Sequence, residues 1–282
     1  MSEIQIRTQH IASITRFDQS PLEFTEFLRQ VLNEHQTRIG SWRFLRAYRV
    51  RKDKCKSVGD IWYCPPAKST SIGRFNRPYS AMLYMSDNPA SALKEVNAKI
   101  GEVISLGIIK PKEPDSTSFM LTHLGMSNNR IGNCIDRMKN DPNLNLDHIS
   151  QIVKANPDNW IDHLNLKAAI DLMVAKICTD EFEFCSDYHK YEYTNALWEI
   201  YRKIPELEGL VYPSIAADLS SVNLAILPDS ADGKLKLEGI IEFEMTEELC
   251  EVKSDDFSAT LERTKTRCGI PNMLTGEIQW ET

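Results

Sequence analysis

Residues 73–96, GRFNRPYSAMLYMSDNPASALKEV, run from a turn through a strand into a helix, and one chemistry-bearing side chain falls on each part: Arg74, Tyr84 and Glu95. Gly73-Arg74-Phe75-Asn76 is turn-like and sets a guanidinium just before a β-prone run, AMLYMS at 81–86. The period of two in that run puts Met82 and Tyr84 on one face. A helix start follows at once. Asp87 or Asn88 can cap, Pro89 suits the first helical position, and Ala92, Leu93, Val96 and Ile100 make a buried stripe. Glu95 falls on the flank of that stripe.

Outward from this stretch, the chain keeps mixing the two periods. PLEFTEFLRQVLNEH (21–35) places Leu22, Phe24, Phe27, Leu28, Val31 and Leu32 near helical spacing. FLRAYRV (44–50) is a short strand that puts Leu45, Ala47 and Arg49 on one face and Phe44, Arg46, Tyr48 and Val50 on the other. Residues 52–71, rich in Gly, Pro, Lys and Ser around WYCPP, read as an irregular excursion. EVISLGII (102–109) and LTHLGM (121–126) return to strand character, and a polar helical insertion spans about 127–183. HKYEYTNALWEIYRKIPELEG (189–209) predicts a helix on Tyr193, Leu197, Ile200 and Tyr201 that ends near Gly209. GLVYPS (209–214), VNLAILP (222–228) and KLEGIIEFEM (236–245) read as strands. That order argues for an α+β fold around a mixed sheet, not regular βαβ winding.

Composition narrows the functional classes. The 282 residues are 42% hydrophobic and 26% charged, enough for a sizeable core in one elaborated domain or two small ones. A net charge of -7 with no Lys/Arg run argues against coating nucleic acid, because phosphate neutralisation needs a basic face. The first 20 residues lack an apolar signal core, and no stretch approaches the roughly 20 apolar residues that span a bilayer. Seven scattered cysteines without a C-x-x-C, and six histidines without metal spacing, predict reduced thiols, no metal and a cytoplasmic protein away from membranes. Neither a dinucleotide-binding glycine motif nor a P-loop occurs.

Taken singly, the candidate residues read two ways. An arginine on a turn beside a sheet is a fork suited to diphosphate oxygens, yet a surface arginine is the commoner case for Arg74. Arg49 shares its strand face with apolar neighbours and must find either an ion partner or a ligand. Tyr84 is either a core aromatic or a stacking wall for a flat ring. Glu95 is either a solvated helix carboxylate or, if it faces a cleft, a group that stabilises a developing oxocarbenium ion. Ser214, after Tyr212-Pro213 at a strand end, either caps a turn or donates to a ligand oxygen.

Together, A-Y-R-V with Arg49, G-R-F-N with Arg74, L-Y-M-S with Tyr84, A-L-K-E-V with Glu95, and G-L-V-Y-P-S followed by N-L-A-I-L-P resemble the RES domain family, named for its arginine, glutamate and serine. The resemblance covers residues 44–109 and 188–228. It implies an ADP-ribosyltransferase-like mixed β-sheet core with flanking helices, here with a helical insertion. The chain departs from the family pattern by an N-terminal helical extension (1–40) and by the insertion at about 127–183. The layout read is that extension, a catalytic domain (41–245) carrying the insertion, and a C-terminal segment (246–282).

It also implies an enzyme that consumes NAD+ by phosphorolysis or hydrolysis of the nicotinamide–ribose bond, typically as a toxin held in check by an antitoxin or immunity protein. Some relatives transfer ADP-ribose to a protein acceptor instead. A third reading keeps the fold as an inactive interaction module. Carried over by position, Arg49 and Arg74 hold the phosphates and ribose, Tyr84 packs by the nicotinamide, Glu95 supports the reacting ribose, and Ser214 hydrogen-bonds within the pocket. Glu95, Arg74 and Tyr84 are the implied catalytic residues, with NAD+ as substrate.

Overall fold

Short β-rich runs in this chain pair into one ten-stranded sheet, joined among the described residues by five α-helices, so the architecture is mixed α and β. The computed structural model describes residues 16–17, 22, 26, 40–124, 183–184, 190–214, 216–217, 221–251 and 256–281. The chain forms two compact units, one of Met1–Thr37 with His123–Leu197 and the other of Arg38–Thr122 with Trp198–Thr282. In the first unit, β1 (Arg16–Phe17) pairs in parallel with β7 (Glu183–Phe184). Apart from Leu22 and Glu26, both helical, the helix predicted over 21–35 lies outside the described residues, as does nearly all of the 127–183 insertion. The helix predicted within 189–209 is α2 (Lys190–Tyr201), which crosses from one unit into the other.

The second unit carries the large sheet. Numbered along the chain, its spatial order is β12 (Ile278–Glu281), β11 (Lys265–Pro271), β10 (Leu235–Glu244), β5 (Val103–Pro111), β3 (Ala47–Lys52), β4 (Leu83–Ser86), β9 (Val222–Ile226), β8 (Gly209–Pro213), β6 (Phe119–His123) and β2 (Gly40–Trp42). Each strand read from 44–50, 81–86, 102–109, 121–126, 209–214, 222–228 and 236–245 overlaps a strand of this sheet, with residues 125–126 lying outside the described ones. Residues 265–281, part of the C-terminal segment read apart from the catalytic domain, contribute β11 and β12 to the same sheet.

Pairing strength varies sharply across the sheet. β3 pairs with β5 from Ala47↔Ile109 to Lys52↔Ile104, and β4 pairs with β9 along its whole length. Between β3 and β4 the register holds at Tyr48↔Ser86 alone. The sheet is therefore nearly split at its centre.

Each face is closed differently. On the Tyr48 and Val50 side, Leu93 of α1 (Pro89–Glu95) joins Ile104, Leu106 and Phe243, with Leu249 from α4 (Glu247–Glu251) and Phe257 and Leu261 from α5 (Phe257–Thr264). The opposite face is covered by the 52–71 excursion, which contains two 3-10 turns and buries Ile61 and Trp62. Ile61 packs closely over Gly107, where a Cβ would meet its Cγ1 at 3.0 Å and Leu237 Cδ1 at 3.1 Å, so a larger residue there requires these side chains to shift. Trp62 Nε1 and the Tyr63 hydroxyl donate to the two oxygens of Asp232, at 2.8 and 2.5 Å, and tie the excursion to α3 (Pro228–Lys234).

Glu208 fastens the far end of the sheet. Its carboxylate accepts from the Met120 amide at 2.8 Å, the Ser230 hydroxyl at 3.0 Å and the Lys234 ammonium at 2.7 Å. Burial pushes its pKa up, but the Lys234 ammonium, the Met120 amide and the Ser230 hydroxyl outweigh that and hold it below its ordinary value of 4.5. A depressed carboxyl stabilises the fold above the unfolded-state pKa and loses that contribution as pH falls through the lower native value. Glu208→Gln is therefore expected to lower the unfolding midpoint near neutrality, and the gap from the parent should shrink on acidification below the ordinary value of 4.5. Thermal melts at the two conditions measure it. No helix among the described residues is long and apolar enough to cross a membrane.

Candidate functional site

The turn before β4 is built around two polar groups. Gly73 N–H donates to the Asn76 carbonyl at 2.9 Å, which closes G-R-F-N on itself. The Tyr84 hydroxyl accepts from Phe75 N–H at 2.8 Å and donates to Asn76 Oδ1 at 2.9 Å. Tyr84 thus pins the arginine-bearing turn to its strand. Its phenol group is a structural anchor, whatever its ring meets. Asn76, at 7% exposure, also donates to the Ser80 carbonyl at 3.3 Å.

Glycine at 73 follows from this packing, because a Cβ there would stand 2.2 Å from Asn76 Oδ1. Gly73→Ala is expected to displace that amide, break the Tyr84–Asn76 bond and cost about 1–3 kcal/mol, the scale for leaving a buried polar group unsatisfied. The urea midpoint should fall with the slope unchanged.

Arg49 occupies the split in the sheet. Its guanidinium donates through Nη1 to the Tyr84 carbonyl at 2.8 Å, across the gap where β3 and β4 no longer pair. Burial pushes its pKa below the ordinary arginine value, and the Tyr84, Cys64 and Tyr212 groups pull it back up. Arginine titrates so high that the group stays charged at neutral pH. With Gly73, Asn76, Tyr84, Ser71 and the exposed Cys64 thiol, Arg49 lines a cavity of about 140 Å³. That is below the roughly 300 Å³ at which whole small-molecule sites begin.

Arg74 lies over the Tyr212 ring, 5.8 Å from its centroid, where cation and π-face attract. Phe75 meets the same ring edge-on at 5.0 Å. Tyr212 begins the Y-P-S run, so the turn and the serine end of β8 share one aromatic anchor.

Glu95 ends α1, whose cap is Asn88: its side chain accepts from the Ser91 amide at 2.8 Å. The helix is shorter than the predicted stripe. It stops at Glu95, and Asn97 takes a left-handed φ of 50°, which asparagine tolerates. Ile100, read as part of the buried stripe, is consequently 64% exposed. The Glu95 carboxylate is held at one oxygen. Ser214 Oγ donates to Oε1 at 2.6 Å and Asn223 Nδ2 donates to the same atom at 2.7 Å. Both donors are buried, at 0% and 3% exposure, whereas Glu95 itself is exposed.

The loop from β8 to β9 is stapled to α1 by Ser221 Oγ donating to Ser91 Oγ at 2.6 Å, and Ser214 N–H donates to the Ser221 carbonyl at 2.9 Å.

Comparison with protein-family models, curated proteins and solved structures returned no match.

The chemistry must therefore be judged from the geometry. Four of the five residues singled out in the sequence form two groups. Arg49 and Tyr84 line the cavity, and Glu95 and Ser214 are bonded to each other outside its lining. Arg74 and Tyr212 lie between, since Tyr212 touches Phe75 of the turn and stands two residues before Ser214.

Asn76 and Asn223 escaped the sequence reading, and each had a signal. Asn223 is the one polar side chain in the strand V-N-L-A-I, and Asn76 closes the glycine turn. A polar group in such surroundings has to serve a specific partner. Among the described residues no cluster of three or more His, Cys, Asp or Glu is placed to hold a metal ion.

Proposed function

We propose that this protein cleaves the bond between nicotinamide and ribose in NAD+, passing the ADP-ribosyl group to phosphate or water. Breaking that bond builds positive charge on the sugar, and nicotinamide leaves as a neutral group. The demands are a carboxylate near the anomeric carbon, cations for the diphosphate and a fixed orientation. One observation carries the reading: a solvent-exposed carboxylate, Glu95, fixed through a single oxygen by two buried donors from the β8 end and from β9. Such a clamp leaves Oε2 to face a ligand.

The arginines support the same reading. Arg49 at the cavity and Arg74 over Tyr212 supply two cations on the turn-and-strand side, within reach of one end of an extended dinucleotide. Uncontrolled loss of NAD+ would be toxic to a cell, so a neutralising antitoxin belongs to the proposal.

Incubating the purified chain with NAD+, with and without phosphate, tests it. The expected products are free nicotinamide with ADP-ribose or its phosphate ester. Label from NAD+ retained on a polypeptide would move the reaction to protein ADP-ribosylation. Intact NAD+ under every condition, after removal of any co-purifying inhibitor, would overturn both.

A further inference from the structure

Glu95 stands at the last position of a seven-residue helix, where no following turn restrains its side chain. Its carboxylate would sweep through solvent if the helix end alone held it. Ser214 and Asn223 prevent this, but they are different tools. A serine hydroxyl turns freely about its C–O bond and can redirect its proton to a ligand, whereas an amide has a fixed plane. Asn223 is also the more rigidly mounted of the two. Its backbone is paired on both sides, to Ser86 of β4 and Tyr212 of β8, in the buried middle of the sheet.

We infer that Asn223 is a positioning residue that sets the rotamer of Glu95. By occupying Oε1 together with Ser214, it turns Oε2 alone toward the reacting sugar. The inference rests on the NAD+ reading for its kinetic consequence, but the clamp itself is a property of the free protein.

The test uses the full-length chain and the variants Asn223→Leu and Asn223→Asp. The first keeps the volume without polar atoms, and the second keeps the shape without the amide donor, so one remains informative if the other fails to fold. Ser86→Ala is the control: Ser86 lies directly opposite Asn223 and is equally buried, but makes no bond to Glu95. Removing a hydrogen bond to a charged group should lower kcat about 10- to 100-fold with KM for NAD+ unchanged. The carbon-13 resonance of the Glu95 carboxyl, assigned by its loss in Glu95→Gln, should shift toward the position of freely solvated glutamates, since Ser214 remains its donor.

Unchanged kcat and an unmoved resonance in a folded variant would overturn the inference, and so would an equal kcat loss in Ser86→Ala. If the parent protein leaves NAD+ intact but the resonance still moves in Asn223→Leu, the positioning role stands and the NAD+ reading falls.

Discussion

Glu95→Gln is expected to lower the rate of NAD+ cleavage by about 10²–10³-fold, the scale on which removing one preorganised electrostatic stabiliser acts. The substitution is chosen to spare the fold. Glutamine keeps an oxygen that can accept from Ser214 Oγ and Asn223 Nδ2, so both buried donors remain satisfied. What disappears is the negative charge on an exposed group. The thermal midpoint should therefore stay within a few degrees of the parent while kcat collapses, and KM for NAD+ should change little if the carboxylate acts chiefly in the transition state. A rate equal to the parent's would show that cleavage, if present, does not run through Glu95.

The largest loss of stability is expected from Arg267→Met. Glu242, at 2% exposure, lies within the sheet and accepts from the Cys55 amide at 3.1 Å and from Arg267 Nε at 2.7 Å. Ser105 Oγ lies 3.4 Å from the same carboxylate. Arg267 is also sandwiched against the Trp280 ring, its guanidinium carbon 3.9 Å from the centroid. Methionine preserves much of the stem but removes the cation and strands a buried carboxylate, a change worth about 3–5 kcal/mol. Chemical denaturation would show the loss as a lower midpoint. Replacing both partners, Arg267→Met with Glu242→Met, should recover most of it, because no charge is then left buried.

How legible the molecule was depends on which forces fixed each part. Short, nearly continuous β-prone apolar runs, such as those at 102–109 and 222–228, were readable because their residue types favour strand and both faces of the sheet bury them. β11 and β12 were not read. K-T-R-C-G-I-P lacks a clean period, and its Arg267 is explained only by a carboxylate on the neighbouring β10. The end of α1 misled for a local reason: the apolar spacing continues to Ile100, but Asn97 turns the backbone away. At the candidate site, the residue types of Arg49, Arg74, Tyr84, Glu95 and Ser214 were visible, but their partners were not. That the Tyr84 hydroxyl would be taken up by Asn76 and Phe75, or that Glu95 would be gripped by Asn223, depends on pairings across 8 and 128 positions of sequence. Such contacts leave no periodic trace.

The single pairing between β3 and β4 has a consequence for how the chain assembles. It divides the ten strands into two half-sheets, and from β2 to β6 the chain alternates between them, so that with the return from β9 to β10 it crosses that seam five times. Neither half is made of contiguous sequence, and neither can be completed until segments about 140 residues apart have met, β5 with β10 in one half and β4 with β9 in the other. Folding of this unit is therefore dominated by long loop closures and should be slow for its size. A chain released before β10 is synthesised holds β3 and β5 without the strand that covers their outer side, and with it lacks Glu242 and every contact that Arg267 makes.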